Sequence, residues 1–550
     1  MNRAHGKRRR PEGSTEHAVR SAGRRYSVGR FQPLPKAARG TRRGIVLLLV
    51  LVVIAMLSLG AYTYCQLMQA EREAVEVTGR RAQARVLAES GLEFARFFLG
   101  QEKQVQLDAG GCYDNPTRFR GALVLDDNEA RGRGRFTLVA PSTEFGLPGG
   151  VRFGLEDMSN RLNLNALPLA ERSVPGSGKE ILMGLPGMTD EIADSILDWI
   201  DQDEEPREFG AESEYYGALD PPYAPRNGPL ATIEELLLVR GVTPSLLFGV
   251  DANRNGIADR NEADPQSIEG VDNADGSMDR GWAAYLTLWS FEKNVRPDGT
   301  PKIDLNQSDM KKLNEELTAA LGAEMAKFIV GLRQYGPSSS TREPDPTATF
   351  ELNLDTRAKY KLTSVLDLIG AKFDVQVQSE SRSGKPTTTT KTIPSPFVNV
   401  PGLMNAYLPL LMENVTVNPS PVIPGRININ QAPRIILAGI PGMNDDIVDQ
   451  ILSRRQENPV GADPNRQYET WILAEGIVTL EEMKILMPFV CAGGDVFRVE
   501  SVGYYDEGGL AARIEAVLDA TKSPARVLFW RDISHLGRGY SLEMLGTEAM

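Results

Sequence analysis

The chain has 550 residues, a formal net charge of −12 at pH 7, three histidines and three cysteines. This length gives room for several domains, and a hydrophobic content of 41% is normal for folded material. Because His5 and His17 lie near the N-terminus, His535 is the only histidine in the remaining chain. This nearly excludes a catalytic triad built on histidine and a zinc site of several histidines.

The first 44 residues form a basic segment that leads directly into an apolar run. The segment holds 13 Lys or Arg against Glu12 and Glu16, whereas the rest of the chain carries −23. The run from Ile45 to Ala61 has 17 uncharged residues, which is the short end of what spans a bilayer. Since flanking cations hold a segment on the cytoplasmic side, the remaining chain is predicted to lie outside that membrane.

Two interpretations of this N-terminus are open. An ordinary secretory signal would be cut after the apolar run, where "SLGAY" from Ser58 offers small residues. However, residues Gln66 to Phe98 contain no proline and repeat apolar residues at roughly helical spacing. In the second and favoured interpretation, one helix therefore continues from Ile45 to about Phe98. A signal peptide needs no such extension.

Three short segments with a shared pattern organise the middle of the chain. Each alternates Ile or Leu with Asn or Asp, which in a strand places the polar side chains on one face. The segments are "RLNLNALP" at Arg161, "KIDLNQSD" at Lys302 and "RININQAP" at Arg426. Helical stretches follow, so we predict an array of small helical units with one plan.

Two of these units contain a Gly-x-Pro-Gly-Met turn, after which Thr189 and Asn444 should cap the next helix. The turns are similar to helix-hairpin-helix modules, which commonly hold nucleic-acid backbones, and this defines a rival function in DNA binding or uptake. Phosphate binding calls for Lys or Arg beside the hairpin, but the flanking residues are acidic. They are Asp190, Glu191, Asp445 and Asp446. We therefore predict packing units and no nucleic-acid partner.

The stretch "DANRNGIADRNE", which begins at Asp251, matches a twelve-residue calcium loop. Gly256 stands at the sixth place, where the sharp turn needs glycine, and Glu262 at the twelfth would close the site with two oxygens. The predicted ligands are Asp251, Asn253, Asn255, the carbonyl of Ile257, Asp259 and Glu262. The alternative is a solvated loop rich in Asn and Asp.

The end of the chain predicts an antiparallel sheet. Short alternating segments, "VFRVESVGYY", "AARIEAVLDA" and "ARVLFWRD", are separated by turn residues. Earlier strands come from "RFTLVAPS" and "VRFGLEDMSNRLNLNAL", so the sheet begins before the helical units and is completed after them. Two Pro/Ser/Thr-rich stretches, which begin at Gly336 and Ser379, are predicted linkers.

The stretch from Ile196 to Pro244, "ILDWIDQDEEPREFGAESEYYGALDPPYAPRNGPLATIEELLLVRGVTP", resembles the helical insert of the general secretion pathway protein K family. These are minor pseudopilins of type II secretion systems. The N-terminus is similar to a pilin-like leader, in which a prepilin peptidase cuts between Gly44 and Ile45. Leu49 replaces the usual glutamate at the fifth mature position, a departure that is typical of protein K. The long leader and residues 250–424 differ from the family pattern.

The resemblance implies an α+β fold: a long N-terminal transmembrane and amphipathic helix, a small antiparallel pseudopilin sheet and a large inserted helical domain with helix-hairpin-helix-like repeats. The predicted segments are a leader 1–44, the N-terminal helix 45–100 with its membrane part 45–61, the first part of the pseudopilin body 101–168, a first helical unit 169–250, the calcium-loop segment 251–281, a second unit with linkers 282–424, a third unit 425–490 and the C-terminal strands 491–550.

The family role implied is a non-enzymatic tip component of the pseudopilus, anchored in the inner membrane with its bulk in the periplasm. Minor pseudopilins I and J would be its partners. The alternative is a membrane-anchored, calcium-stabilised extracytoplasmic scaffold unrelated to secretion. Because family members bind calcium in the insert, an acidic cluster that otherwise looks like a solvated face becomes a second calcium candidate. It consists of Asp201, Asp203, Glu204, Glu212 and Glu214.

The cysteines leave two options. Cys65 lies at the predicted membrane edge, so Cys112 and Cys491 remain for a disulfide in an oxidising compartment. Two unpaired buried cysteines are the alternative.

Overall fold

The structure is a computed structural model that describes residues 43–142, 150–251, 253–257, 281–345, 350–380 and 386–547. The chain divides into two compact units, Met1–Ala74 and Val75–Met550. Helix α1 (Arg43–Leu99) includes residues of both units. Its apolar side chains in the first unit are exposed, and among the described residues it is the one helix long and apolar enough to cross a membrane. The predicted anchor is therefore helical, while residues 1–42 of the leader lie outside the described residues.

The second unit begins and ends with the elements of one sheet. After α1 come α2 (Lys103–Asp108), α3 (Pro116–Phe119), β1 (Ala122–Leu125), β2 (Gly134–Pro141), β3 (Val151–Arg152) and β4 (Glu156–Asp157). The middle of the chain holds β5 (Leu162–Asn163), α4 (Leu167–Ser173), α5 (Ser177–Met183), α6 (Asp190–Ile200), α7 (Ser213–Gly217), α8 (Pro244–Phe248), β6 (Leu286–Thr287), β7 (Phe291–Lys293), β8 (Ile303–Asp304), α9 (Met310–Leu321), α10 (Ala323–Tyr335), β9 (Lys372–Glu380), β10 (Pro386–Pro394), α11 (Leu408–Asn414), β11 (Val415–Thr416), β12 (Val422–Pro424), β13 (Ile427–Asn428), α12 (Arg434–Ala438), α13 (Asp445–Arg454), α14 (Trp471–Ala474), α15 (Leu480–Leu486) and β14 (Val490–Cys491). The chain closes with β15 (Val496–Tyr505), β16 (Ala512–Asp519), β17 (Arg526–Asp532) and α16 (Leu542–Leu545).

The sheet has the order β1-β2-β15-β16-β17 and is antiparallel throughout this path. Its neighbours β2 and β15 are far apart in sequence but pair directly, with Glu500 opposite Val139. The sheet is thus begun before the middle of the chain and completed after it, as predicted. The alternating C-terminal segments form β15, β16 and β17, which confirms the predicted meander.

Helix α1 packs closely on the sheet through small residues within the second unit. Ala84 and Ala88 are fully buried. Across from them, a Cβ added at Gly503 in β15 would lie 2.2 Å from the carbonyl oxygen of Ala84 and 2.4 Å from the amide nitrogen of Ala88. Glycine at this position therefore permits the helix backbone to touch the strand.

The three Asn-containing segments form the same small structure three times. Each contributes a two-residue strand to a parallel pair, β5 with β6, β8 with β11 and β13 with β14. In each, the first polar side chain accepts a hydrogen bond from the amide two residues later: Asn163, Asp304 and Asn428 do so at 3.1, 2.8 and 2.9 Å. The predicted repeat is therefore structural, and it fixes the start of each helical unit.

The second asparagine of each segment holds a distant stretch of the same unit. Asn165 exchanges two hydrogen bonds with the backbone of Leu230, and Asn306 exchanges two with that of Leu362. In the third copy, Asn430 accepts a hydrogen bond from the indole of Trp471. The side-chain amide of this asparagine thereby holds each unit closed.

The Gly-x-Pro-Gly-Met turns each join two helices, α5 with α6 and α12 with α13. Thr189 and Asn444 cap the second helix of each pair, accepting hydrogen bonds from the amides of Ile192 and Ile447. Acidic residues in the first turns of α6 and α13 stabilise these helices, because the peptide dipoles leave partial positive charge at a helix N-terminus. The predicted caps and the buried isoleucine stripes are confirmed.

One expectation from the sequence was wrong. The stretch from Ser379, predicted as a linker, belongs to the hairpin of β9 and β10, in which Thr388 lies opposite Gln378. Its run of β-branched threonines favours a strand more than its Ser and Pro content disfavours one. Of the two options left open for the cysteines, the structure has the second, because Cys112 and Cys491 are both buried free thiols. Cys112 lies in the apolar core beneath α1, whereas Cys491 belongs to β14 and pairs with Asn428.

Candidate cation sites in the inserted region

The described part of the predicted calcium loop forms one tight turn. The carboxylate of Asp251, which is 7% exposed, accepts hydrogen bonds from the amides of Asn255 at 3.1 Å and Gly256 at 2.9 Å. The side-chain oxygen of Asn253 also accepts from Asn255, and that of Asn255 accepts from Ile257 at 2.7 Å. Gly256 has a φ of +69°, so it makes the sharp turn that the sequence predicted.

The oxygens in this turn fit a hard cation. Carboxylate and amide oxygens have further lone pairs after accepting one hydrogen bond each. Calcium takes such oxygens as ligands, and the first, third and fifth loop positions would supply them from Asp251, Asn253 and Asn255. The predicted ligands Asp259 and Glu262 lie outside the described residues, so the closing half of the loop stays a prediction.

Arg513 ties this turn to the sheet. Its side chain is fully buried and donates to the carbonyl oxygens of Asn253 at 2.9 Å and Arg254 at 3.1 Å. The same guanidinium binds Glu500 of β15 at 2.6 Å. Sequence reasoning missed this residue, although a charged side chain inside a predicted strand was a signal that it has a buried partner.

The acidic cluster is built around the end of α6. Asp198 and Asp201 both bind Arg207, whose Nη1 lies 2.6 Å from a carboxylate oxygen of each. On the other side, the Asn227 amide donates to the carboxylate of Glu204 at 2.9 Å and to the carbonyl oxygen of Asp203 at 3.0 Å. Arg207 thus holds Asp201, and Asn227 holds Asp203 and Glu204.

Glu212 is the unusual member of the cluster. It is 4% exposed, and neither of its carboxylate oxygens accepts a hydrogen bond. Burial, together with the neighbouring charges of Asp198 and Asp201, raises the pKa of Glu212 to about 7. One oxygen of Asp201 and the side-chain oxygen of Asn227 are likewise buried without a hydrogen bond. Buried oxygens without partners are rare in native proteins, and several in one place suit a cation with oxygen ligands.

The structure also changes the composition of this cluster. Glu214 lies in α7 and is exposed, so it stands apart from the buried oxygens. Asp198, Arg207 and Asn227 were missed by sequence reasoning, although Asp194, Asp198 and Asp201 recur at helical spacing along α6.

Among the described residues, no three His, Cys, Asp or Glu side chains stand close enough to hold a metal ion as they are.

The predicted processing site lies at the start of α1. Gly44 and Ile45 fall within the first turn of the helix, and Ile45 is exposed. Cleavage between them stays a prediction.

Comparison with known proteins gives consistent results for the inserted region. Residues 160–249 match the family model described as type II secretion system (T2SS), protein K. The type II secretion system protein K of Pseudomonas aeruginosa PAO1 is 36% identical over 109 residues, which cover 18% of this chain and 33% of that protein. The protein of the same name from Klebsiella pneumoniae is 26% identical over 224 residues, covering 37% of this chain and 60% of that protein.

A solved structure of the GspK–GspI–GspJ complex from the type 2 secretion system of enterotoxigenic Escherichia coli also matches. The match covers 84% of this chain and 98% of that chain, at 13% identity and a TM-score of 0.32, too low to support an argument. The aligned part of this chain spans between one third and 60% of the two relatives. The family resemblance seen in the sequence is confirmed by the match at residues 160–249.

Proposed function

Because residues 160–249 belong to the protein K family of type II secretion systems, we propose that the protein is a minor pseudopilin of such a system. It stands at or near the tip of the pseudopilus and joins minor pseudopilins I and J. Helix α1 anchors it in the inner membrane by a single span, with the bulk of the chain in the periplasm. The family match carries this proposal, and the exposed apolar start of α1 supports it.

The role is structural, and the protein acts through its surfaces. The chain after residue 44 has one histidine, His535. Co-expression of the tagged full chain with pseudopilins I and J from the same genome tests the role, because a tip component should be recovered from membranes as a stable complex with both. Recovery of the chain alone would favour a scaffold unrelated to secretion.

Calcium is the cation assigned to both candidate sites. The periplasm exchanges small ions with the exterior, where modules of this kind bind calcium at roughly 10⁻⁴ to 10⁻³ M. Bound at Glu212, calcium would supply the partner that both carboxylate oxygens lack. Bound at the Asp251 turn, it would join a segment that Arg513 already attaches to the sheet. The ion thus stabilises the inserted region.

The helix pairs are packing units that resemble helix-hairpin-helix modules. The cations beside their turns are already bound to carboxylates: Lys179 lies 2.9 Å from Asp190 and 3.0 Å from Asp194. Arg434 binds Asp445 at 3.1 Å in the other pair. Little positive charge is therefore left to bind phosphates.

We expect the full chain in detergent to retain no duplex DNA at physiological salt. DNA binding depends on release of counterions from phosphates, so a salt titration of fluorescent duplex separates real binding from background. Tight, salt-sensitive retention, combined with the absence of a complex with pseudopilins I and J, would contradict the proposal and support DNA uptake.

Replacing Gly44 with Phe should leave the leader attached, because a bulky residue at the cleavage position blocks the peptidase. The wild-type protein extracted from membranes should begin at Ile45, as read by N-terminal sequencing. Gly40→Phe, a matched change within the leader, should be processed normally. An intact leader in the wild type, or cleavage near Gly60, would contradict the pilin-like leader.

A further inference from the structure

The three repeated segments each begin with a cation, and its surroundings differ between copies. Arg161, Lys302 and Arg426 stand directly before β5, β8 and β13. Because the three strands are built alike, these positions are equivalent, and each cation should have an equivalent partner.

In the first and third copies that partner is a buried carboxylate. Arg161 binds Glu156 through two nitrogens, at 2.9 and 2.6 Å, and both side chains are buried. Arg426 binds Glu292 and also lies 2.9 Å from Glu469. A cation removed from water in this way needs such a partner to offset its lost hydration.

In the second copy the carboxylate is missing. The Lys302 side chain forms no hydrogen bond and no ion pair with the part of the chain that the structure describes. Burial lowers the pKa of its amine, although Glu469 and Glu292 act in the opposite direction. Those two carboxylates are already bound to Arg426, and Glu413 accepts a hydrogen bond from Tyr468.

Lys302 lines a cavity of about 350 Å³ where the three helical units meet. The wall is largely apolar and includes Leu167 and Ile181 from the first unit, Val417 from the second and Phe489 from the third. Three cations and no carboxylate line it among the described residues. The other two cations have partners, since Arg426 binds its glutamates and Lys484 lies 3.2 Å from Glu481.

The size and lining of this cavity are those of a small-molecule site, since such pockets measure about 300 to 1,000 Å³ and are mostly apolar with a few polar groups. An extended peptide binds by adding a strand to a sheet edge. The strands on the wall, β5, β11, β12 and β13, are only two or three residues long, which leaves too little edge for a peptide.

We propose that the cavity binds a medium-chain fatty acid, whose carboxylate pairs with Lys302 and whose aliphatic chain fills the apolar space between the three units. The ligand carboxylate takes the place that Glu156 has beside Arg161. The aliphatic chain contacts all three units at once, so the ligand stabilises their arrangement. This inference does not depend on the role in secretion.

The test uses the full chain in lipid nanodiscs and isotope-labelled decanoate, with protein-free nanodiscs at the same free concentration as the background. Decanoate should bind at one site per chain, and decanol, which lacks the charge, at least tenfold more weakly. Lys302→Met should weaken decanoate binding at least tenfold, since hydrogen bonds to charged groups contribute about 1.5 to 3 kcal/mol and each 1.4 kcal/mol is about tenfold in Kd. The matched surface change Lys312→Met should leave it unchanged.

A second variant keeps the test independent of Lys302. Ala170→Phe adds a ring on α4 at the cavity wall and should prevent binding of both decanoate and decanol. Equal binding of decanoate and decanol to the wild-type chain, or binding no greater than to protein-free nanodiscs, would overturn the proposal. So would undiminished decanoate binding by a folded Lys302→Met variant.

Discussion

Val86→Asp and Phe97→Asp should each abolish recovery of the protein with pseudopilins I and J. Val75, Val86 and Phe97 are 72, 59 and 66% exposed on α1. They are eleven residues apart, which is close to three helical turns, so they share one face. A carboxylate placed in a dry interface on this face would lose its hydration without gaining a partner. Loss of one central contact costs about 2 kcal/mol or more, roughly thirtyfold in Kd.

Between Val75 and Val86 the same face carries the small residues Gly79 and Ala82. A Cβ added at Gly79 would meet nothing within 4 Å, so the helix surface is open there. Small residues let a second helix approach closely, and we expect a partner helix to pack along this stripe. The melting temperature should not change, because exposed substitutions alter stability by about 0.5 kcal/mol or less.

Val398→Asp provides the matched control for these variants. Val398 is 49% exposed in the inserted region, away from α1 in sequence, and this variant should be recovered with both partners. The measurement is the amount of each pseudopilin that co-purifies from membranes with the tagged chain. Normal recovery of both Val86→Asp and Phe97→Asp would place the partner surface elsewhere.

Local patterns predicted most of the sheet. The segment "VFRVESVGYY" forms β15 with the predicted limits, because its β-branched and aromatic residues alternate and turn residues end it. What alternation did not predict is that β15 and β16 are buried almost throughout. Helix α1 covers part of the sheet, and buried ion pairs such as Arg513 with Glu500 occupy positions that alternation would assign to solvent.

In the candidate sites, too, features that depend on neighbouring residues were predictable, and features that depend on residues far apart in sequence were not. The Asp251 turn was predictable, because its oxygens and its glycine follow one another in sequence with fixed spacing. The isolation of Glu212 was not, since it depends on burial in the folded chain and on the charges of Asp198 and Asp201 near it. The lack of a carboxylate beside Lys302 could be recognised only after the three copies were compared in space.

Glu212→Gln should remove most of the stabilisation of the protein by calcium. In the wild type, calcium at ten to one hundred times its Kd should add about 1.4 to 2.7 kcal/mol, because an ion that binds only the folded state stabilises it in proportion to the logarithm of its concentration. Gln keeps the shape of Glu212 but provides one neutral oxygen in place of a carboxylate. Without calcium the variant should melt at a higher temperature than the wild type, since it no longer buries a charge without a partner.

Glu214→Gln is the matched control, because Glu214 lies two residues away and is exposed. Its calcium titration, followed by the melting temperature of the full chain in detergent, should overlie that of the wild type. Glu262→Gln tests the loop separately and should remove the remaining response, so that the double variant with Glu212→Gln shows none. If calcium leaves the wild-type melting temperature unchanged, or if Glu212→Gln and Glu214→Gln respond alike, the buried oxygens around Glu212 do not form a calcium site.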